Sequence, residues 1–269
     1  MKKVAKLIKA LILIIKKPYL LNKIIDDVDV NKHVVIDKYN LPQGLKTIEI
    51  TDLLPGFNET IEPFSYLDGG STPIDLALLK GLAKSKTDCL YFEIGTWKGE
   101  SVANVASVAK ECVTLNLADK EMEQMGFDKN YISLHRYYSK NLKNVIHLQA
   151  NSLTYDFKSL NKKFDLLFID GDHHYESVKS DTKNAFSILK NNDSIIVWHD
   201  YGNTPTDIRF DVLLGILDGT PKEKQQYLYH VSNTLCAIYT TKAIESKNLE
   251  PYISSEKYFS VTIKANLIN

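Results

Sequence analysis

The sequence predicts an α/β fold in which a doubly wound, mostly parallel sheet ends in an antiparallel hairpin. Short, continuously apolar runs alternate with helical stretches between residues 71 and 198, and two further apolar runs near residue 230 are separated by only three residues. Runs that are apolar throughout are typical of strands covered on both faces, and the alternation with helices makes them parallel. Three residues are too few for a crossover helix, so the last two strands are expected to be antiparallel.

The composition fits one main domain with an appendage, because the chain has 269 residues and is 44% hydrophobic. The formal net charge is +0, but the first 25 residues hold seven Lys and no acid. The rest of the chain is mildly acidic, so we expect no nucleic-acid partner. The three cysteines are far apart and form no C-x-x-C motif, which predicts neither a disulfide framework nor a thiolate metal site. A cytoplasmic location fits this cysteine usage.

Residues 1–25 are predicted to form a basic amphipathic helix that ends before Pro18. Apolar residues recur there at spacings of three and four, with lysines largely between them. The segment is too short and too charged to span a bilayer, and no small-residue cleavage site follows it. Two roles remain open: peripheral attachment to an anionic membrane at its inner face, or packing on the domain or on a second subunit of a homo-oligomer.

Residues 26–70 are polar and rich in turn signals such as "LLPGF", so an irregular cap with one short strand at "KTIEI" is predicted. The main domain is predicted over residues 71–269. It opens with a helix through "IDLALLKGLAK", because Ser71 or Thr72 can serve as its N-cap and Pro73 fits its first turn.

Seven strands and three further helical stretches follow in this domain. Strands are predicted at 89–94, 112–117, 144–149, 164–169 and 194–198, with hairpin strands at 227–231 and 235–240. Helices are predicted from 100 to about 110, in a longer region up to 143, and from 175 to 190.

A glycine-containing turn, "YFEIGTWKGESV" (91–102), joins the first of these strands to its helix. The first strand-to-helix turn of a doubly wound sheet lies at the crevice where ligands bind, and glycines there permit close approach to the backbone. Glu93 can direct a carboxylate into this crevice. Trp97 stands where G-x-G-x-x-G would need its second glycine, so a nicotinamide dinucleotide site is poorly supported.

Carboxylates and imidazoles follow two strands that should be neighbours. Asp170 ends one strand and His199 with Asp200 ends the next, so these side chains should meet at one edge of the sheet. Such a group can bind a divalent cation, with Mg²⁺ or Mn²⁺ favoured by the carboxylates. The alternative is structural: Asp170 and Asp172 cap the following helix, and His199 is a strand-end residue with satisfied hydrogen bonds.

Two motifs resemble known enzymes. "EIGTWKGES" (93–101) looks like the first motif of class I S-adenosylmethionine-dependent methyltransferases, whose seven-stranded sheet also ends in an antiparallel hairpin. "DGDH" (170–173) with the distal "HD" (199–200) is similar to the metal-dependent O-methyltransferases of macrolide sugars and the related cephalosporin-hydroxylase-like group. The resemblance covers roughly residues 70 to 242.

The resemblance implies S-adenosylmethionine as cofactor and leaves a divalent cation (Mg²⁺ or Mn²⁺) open as a second one. It implies a cofactor site formed by the glycine loop, by the ends of the second and third strands of the domain and by the aspartate that opens "DGDH". The residues of this site are Glu93, Gly95, Thr96, Gly99, Ser101, Asn116, Asp119, Asn151, Ser152 and Asp170. Asn116 stands where the family usually has the acid that binds ribose, and Asp119 lies three residues later.

The same resemblance implies that Asp170, His199 and Asp200 bind the metal and that His173 is the general base, with Asp170 also catalytic. The implied reaction is methyl transfer to a hydroxyl of a sugar or other small molecule. Alternatives are a nicotinamide-dependent oxidoreductase, a non-catalytic cofactor-binding protein, and a membrane-surface partner of glycans. Residues 26–70 and 201–212 would form the binding site for the acceptor, which is a small molecule or a glycan.

Overall fold

The computed structural model describes residues 2–17, 28–67, 70–252 and 256–267. Its α-helices are, in chain order, α1 (Lys2–Lys16), α2 (Val28–Tyr39), α3 (Ile50–Leu53), α4 (Pro73–Lys84), α5 (Glu100–Ala106), α6 (Asp119–Gln124), α7 (Lys129–Leu134), α8 (Tyr175–Ser187) and α9 (Phe210–Gly219). The predicted N-terminal helix is present as α1 and ends before Pro18 as expected, and residues 18–25 of the N-terminal segment lie outside the described residues. Among the described helices, none is both long enough and apolar enough to cross a membrane.

The strands are β1 (Thr47–Ile48), β2 (Leu90–Ile94), β3 (Glu111–Asn116), β4 (Val145–Gln149), β5 (Leu166–Ile169), β6 (Ile195–Trp198), β7 (Leu228–Val231), β8 (Ala237–Tyr239) and β9 (Ser246–Lys247). They form one sheet in the order β4-β3-β2-β5-β6-β8-β7-β1-β9. From β4 to β6 all neighbours are parallel, and β8 runs antiparallel to both β6 and β7. The predicted fold class and the terminal hairpin are therefore confirmed.

The strand count differs from the expected seven, because β1 and β9 extend the sheet beyond β7. The predicted short strand at "KTIEI" supplies β1, which pairs in parallel with β7. The amide N–H of His230 donates to the carbonyl of Lys46 (2.9 Å), and that of Ser232 donates to Ile48 (3.0 Å). These hydrogen bonds from β1 pair backbone groups on the edge of β7 that would otherwise lack a partner.

The prediction of an irregular cap over residues 26–70 missed helix α2. Its apolar residues do not fall on a single helical face, so the sequence pattern gave no amphipathic signal. Contacts with α9 hold it instead: Asn31 donates to Asp211, Lys38 pairs with Asp218 at 2.6 Å, and Val35 is buried in the core.

Helix α4 begins as the sequence predicts. Thr72 is the N-cap residue, Pro73 occupies the first turn, and Asp75 completes a capping box by accepting the N–H of Thr72 at 2.8 Å. This box also fixes Asp75 at the edge of the sheet where the parallel strands end.

Other helices are shorter than predicted. The helical region expected up to residue 143 consists of the two short helices α6 and α7. Gly126 separates them with a φ of +86°, and Asp128 then caps α7 by accepting the N–H groups of Asn130 and Tyr131. Helix α5 ends at Ala106, and α8 ends at Ser187, where residues about 110 and 190 were expected.

The sheet is covered on both faces, as the continuously apolar strands indicate. One face packs on α8 and α9 through side chains such as Val178 and Leu213, and the other packs on α4 and α5 through Leu79 and Val102. The loops at the carboxyl ends of β2, β3, β5 and β6 therefore emerge together at one edge, which is the usual ligand edge of an open α/β sheet.

Candidate active site

A cavity of about 790 Å³ opens at this edge between the loops that follow the parallel strands. Its volume is within the range typical of sites for small molecules and cofactors. The predicted site residues that line it are Gly95, Thr96, Gly99, Ser101, Asn116, Asn151, Ser152, Asp170, His173, His199 and Asp200. Two predicted cofactor-binding residues, Glu93 and Asp119, are not among its lining residues.

The glycines of the loop after β2 are required by the protein's own packing. Gly95 and Gly99 have φ values of +90° and +81°, which residues with a side chain rarely adopt. A Cβ at Gly95 would also collide with the backbone of Asp170, and one at Gly99 would collide with the side chain of Ser139. The loop after β2 therefore lies directly against the loop that carries Asp170 at Gly95, and against the segment after α7 at Gly99.

Glu93 supports the glycine loop from below. It is fully buried, accepts the hydroxyl of Tyr91 at 2.8 Å and that of Thr96 at 2.9 Å, and also interacts with Ser101 at the start of α5. Burial raises the pKa of Glu93 to about 7, although the hydrogen bonds from Tyr91, Ser101 and Thr96 oppose this rise. Glu93 is therefore placed to position the loop rather than to contact a ligand.

The ends of β3 and β4 provide the polar wall of the cavity. The side-chain oxygen of Asn116 accepts the N–H of Thr96 at 3.1 Å, which ties the end of β3 to the glycine loop. Asp119 is instead held by Arg136 through two contacts of 2.8 and 2.7 Å. Of the two residues that the resemblance links to ribose, Asn116 lines the cavity, whereas Asp119 lies in a separate ion pair.

Asp170, His199 and Asp200 meet, as their strand ends require. Nδ1 of His199 lies 3.2 Å from Oδ1 of Asp170 and 3.3 Å from Oδ2 of Asp200. This nitrogen is buried and has no hydrogen bond of acceptable geometry within the part of the chain that the structure describes. On the other side of the ring, Nε2 lies 3.3 Å from Oδ2 of the buried Asp75.

This arrangement fits a divalent cation. Two carboxylates and an imidazole nitrogen without an aligned partner form a donor set for such an ion. Histidines that bind metals usually donate their other ring N–H to a carboxylate. The carboxylate of Asp75 lies next to Nε2 of His199 and can accept such a hydrogen bond. Burial disfavours a charged His199, but the carboxylates of Asp170, Asp200 and Asp75 together raise its pKa well above the ordinary value. The three carboxylates therefore favour a positive charge on the ring of His199.

His173 lies beside this cluster. Its Nε2 is 3.1 Å from Oδ2 of Asp200, and its half-buried ring lines the cavity. One ligand atom from each of Asp170, His173 and Asp200 lies within 4.8 Å of the others, so a metal ion could also be held by a set in which His173 replaces the predicted His199. Arg209 holds the second oxygen of Asp200 at 3.0 Å. Burial acts to raise the pKa of Asp200, but His199, His173 and Arg209 outweigh it and keep this carboxylate ionised.

The structural alternative for this loop applies to Asp172 and not to Asp170. Asp172 accepts the hydroxyl of Ser177 at 2.8 Å and the N–H of His174 at 3.2 Å, which anchors the start of α8. His174 is the N-cap residue, and its side chain is 86% exposed. Asp170 contacts His199 instead.

Sequence reasoning missed several residues at the site. Asp75 reads as an ordinary capping residue of α4, and nothing in the sequence points to its contact with His199. Tyr131 stacks on the ring of Trp97 with centroids 4.2 Å apart, and Phe127 stacks on Tyr131 at 5.4 Å, so these two missed residues extend Trp97 into an aromatic wall on one side of the cavity. Periodicity could not reveal this wall, because α7 was expected inside a longer helix.

Part of this chain matches a known family model, and several solved structures resemble it distantly. Residues 92–201 match a family model described as a methyltransferase domain. No curated protein matches the sequence. Among solved structures, an O-methyltransferase from Bacillus cereus in complex with SAH is 14% identical, with 83% of this chain and 96% of that chain covered and a TM-score of 0.42.

Two further solved structures are similarly distant. A TDP-rhamnose 3'-O-methyltransferase of calicheamicin biosynthesis is 11% identical, with 63% of this chain and 79% of that chain covered and a TM-score of 0.41. The YcgJ protein of Bacillus subtilis is 16% identical with a TM-score of 0.37, and the match covers 48% of this chain and about half, 51%, of that protein. None of these similarities assigns a substrate to this chain. Residues 92–201 therefore resemble a methyltransferase domain, and the strand order with its terminal antiparallel hairpin is the one that the resemblance implies.

Proposed function

We propose that this protein is an S-adenosylmethionine-dependent O-methyltransferase that acts on a hydroxyl of a sugar or another small molecule. The observation that carries the proposal is the position of His173, at the same cavity as the glycine loop, with a carboxylate of Asp200 at 3.1 Å from its Nε2. An imidazole oriented by a carboxylate is a typical general base.

The cavity fits the cofactor. Gly95, Thr96 and Asn116 would hold it where the loop after β2 meets the end of β3, and Asn151 and Ser152 would contact it from the end of β4. Bound S-adenosylmethionine supplies a methyl group on a positively charged sulfur. An oxygen nucleophile attacks the methyl carbon in line with the carbon–sulfur bond and displaces the sulfur. Glu93 keeps the loop in place through its contacts with Thr96 and Ser101.

A divalent cation would be held by Asp170, His199 and Asp200, with Asp75 orienting the imidazole ring of His199. The bound cation would lower the pKa of a nearby hydroxyl and help to orient the acceptor. Mg²⁺ and Mn²⁺ both suit the two carboxylates of this set.

His173 would remove the proton of the acceptor hydroxyl. Asp200 faces Nε2 of His173 and favours the tautomer that carries its proton there, so Nδ1 is left to accept the proton. The acceptor oxygen then forms its bond to the methyl carbon as the carbon–sulfur bond breaks. An aliphatic hydroxyl has a pKa far above that of imidazole, and this difference supports a role for the cation next to the base.

Calorimetric titration with S-adenosylmethionine, S-adenosylhomocysteine and NAD, with and without Mg²⁺, tests the cofactor. We expect both sulfur compounds to bind and NAD not to bind; binding of NAD alone would support a nicotinamide-dependent oxidoreductase instead. Turnover is tested by release of S-adenosylhomocysteine in the presence of a panel of free and nucleotide-linked sugars and small phenols. Binding without release across the whole panel would support a non-catalytic cofactor-binding protein.

A further inference from the structure

Helix α1 presents nearly all of its surface to solvent. Every described side chain from residue 3 to residue 17 is exposed except Ile14, which is half-buried. A helix that packed on its own domain would bury one face, so packing on the described part of this chain does not account for α1. We propose that α1 binds to the surface of an anionic lipid bilayer, a proposal that is independent of the methyltransferase reaction.

The apolar side of α1 forms one continuous face. At 100° per residue, Val4, Leu7, Ile8, Leu11 and Ile15 project on the same side of the helix. These five side chains are between 53% and 78% exposed. A contiguous apolar patch of this kind is typical of a surface that is covered by a partner or a membrane.

The opposite side of α1 is basic, which favours an anionic partner. Lys6, Lys9 and Lys16 project there, and residues 2–17 contain six lysines and no acid. An amphipathic helix with lysines on its polar face is attracted to anionic head groups, and each lysine near the surface adds to this attraction. Two copies of α1 packed against each other would bring like charges together, so the lipid surface is the better match.

The length of α1 sets its orientation. Fifteen residues extend about 22 Å, which is shorter than the roughly 30 Å hydrocarbon core of a bilayer. The helix is therefore expected to lie in the plane of the interface, with the apolar face towards the acyl chains and the lysines at the head groups.

Two leucines of α1 provide a matched pair of variants. Leu11 lies in the apolar face and is 53% exposed, whereas Leu13 lies among the lysines and is 49% exposed. Leu11→Glu and Leu13→Glu make the same change in charge within the same helix, so they differ in the face that they alter. Both variants of the full chain should keep the melting temperature of the wild type, because neither side chain is in the core.

The experiment is co-sedimentation of the full-length protein with vesicles. We expect binding to phosphatidylglycerol-containing vesicles, weaker binding to pure phosphatidylcholine, and loss of binding when NaCl rises from about 0.1 M to about 0.5 M. Leu11→Glu should weaken the partition to phosphatidylglycerol by about tenfold or more, and Leu13→Glu by less than about threefold.

Three outcomes would overturn the proposal. The first is an equal loss of vesicle binding in the two variants, and the second is equal binding of the wild type to both kinds of vesicle. The third is that the wild type binds no vesicles and forms an oligomer in sedimentation velocity that Leu11→Glu dissociates. The last outcome would assign the apolar face to contact between copies of this chain. Vesicle binding requires no turnover, so its result and that of the methyltransferase assay are distinguishable.

Discussion

Nε2 of His199 lies 3.3 Å from Oδ2 of Asp75, although the two residues are 124 positions apart in the sequence. Asp75 belongs to the capping box of α4, and its other oxygen accepts the N–H of Leu235 at 2.9 Å. One carboxylate thus joins a helix start, the connection between β7 and β8, and the residue after β6. The contact fixes the ring of His199 so that Nδ1 faces Asp170 and Asp200.

Replacing Asp75 should weaken cation binding. Asp75→Asn keeps the size of the side chain but removes the charge that orients His199, and loss of such an outer partner costs about 10- to 100-fold in metal affinity. Titration with Mn²⁺ measures the effect. Asp165→Asn is the matched control, because Asp165 is also buried but pairs with Lys190. Equal Mn²⁺ affinities for the two variants would argue against a role for Asp75 in the cation site.

Removal of His173 should affect turnover and spare cofactor binding. General base catalysis contributes about 10²- to 10⁴-fold in rate, so His173→Ala should lower kcat by that order. Its affinity for S-adenosylmethionine, measured by calorimetry, should stay near that of the wild type. His174→Ala is the control, because the neighbouring side chain is 86% exposed and contacts Asp172. Near-normal kcat for His173→Ala would remove this residue from the mechanism.

Stripping divalent cations should slow the reaction. After thorough treatment with EDTA we expect a large loss of methyl transfer, which Mg²⁺ or Mn²⁺ restores because the ion acts on the acceptor hydroxyl. In Asp170→Asn, one of the two charged ligands is gone, so restoration should need a higher concentration of cation. A stripped wild-type protein with an unchanged rate would show that His199, Asp170 and Asp200 form a structural ion-pair cluster.

Glu93 should make the stability of the protein depend on pH. Its pKa is about 7 in the folded protein and 4.5 ordinarily, so the folded state retains a proton that the unfolded state releases. The free energy of unfolding should therefore fall by about 3 kcal/mol as the pH rises through this interval, and Glu93→Gln should not share this loss. Compared with the wild type, the variant should be relatively more stable at about pH 8 than at about pH 5.

Urea unfolding at both pH values measures this difference. Glu176→Gln is the control for the loss of one carboxylate, because the side chain of Glu176 is 79% exposed. If the curves of wild type and Glu93→Gln stay parallel across the interval, Glu93 does not hold a proton in the folded protein.

The sequence predicts the parts of the fold that depend on local patterns. The strands of the parallel sheet are continuously apolar, and Thr72 with Pro73 marks the start of α4, so both could be placed before the structure. Asp170 and Asp200 could also be brought together, because parallel strands end at one edge of a sheet. These inferences need only periodicity, capping chemistry and topology.

The remaining features depend on contacts between distant segments. Helix α2 lacks an apolar stripe and is held by α9, so its own residues do not predict it. The Asp75 contact requires the hairpin connection and the end of β6 to meet α4. Asp119 has the charge expected of a ribose ligand, but Arg136 competes for it. No local pattern carries such information.

The pairing of β1 with β7 has a practical consequence for dissecting the protein. Ile48 in β1 and Ile50 shortly after it precede the predicted domain start at residue 71, and both are fully buried. A recombinant fragment cut at that point would lose these anchors and leave unpaired the edge of β7 that faces β1. Exposed strands of this kind recruit other chains. Truncation there should yield aggregates, and a workable boundary has to lie upstream of α2.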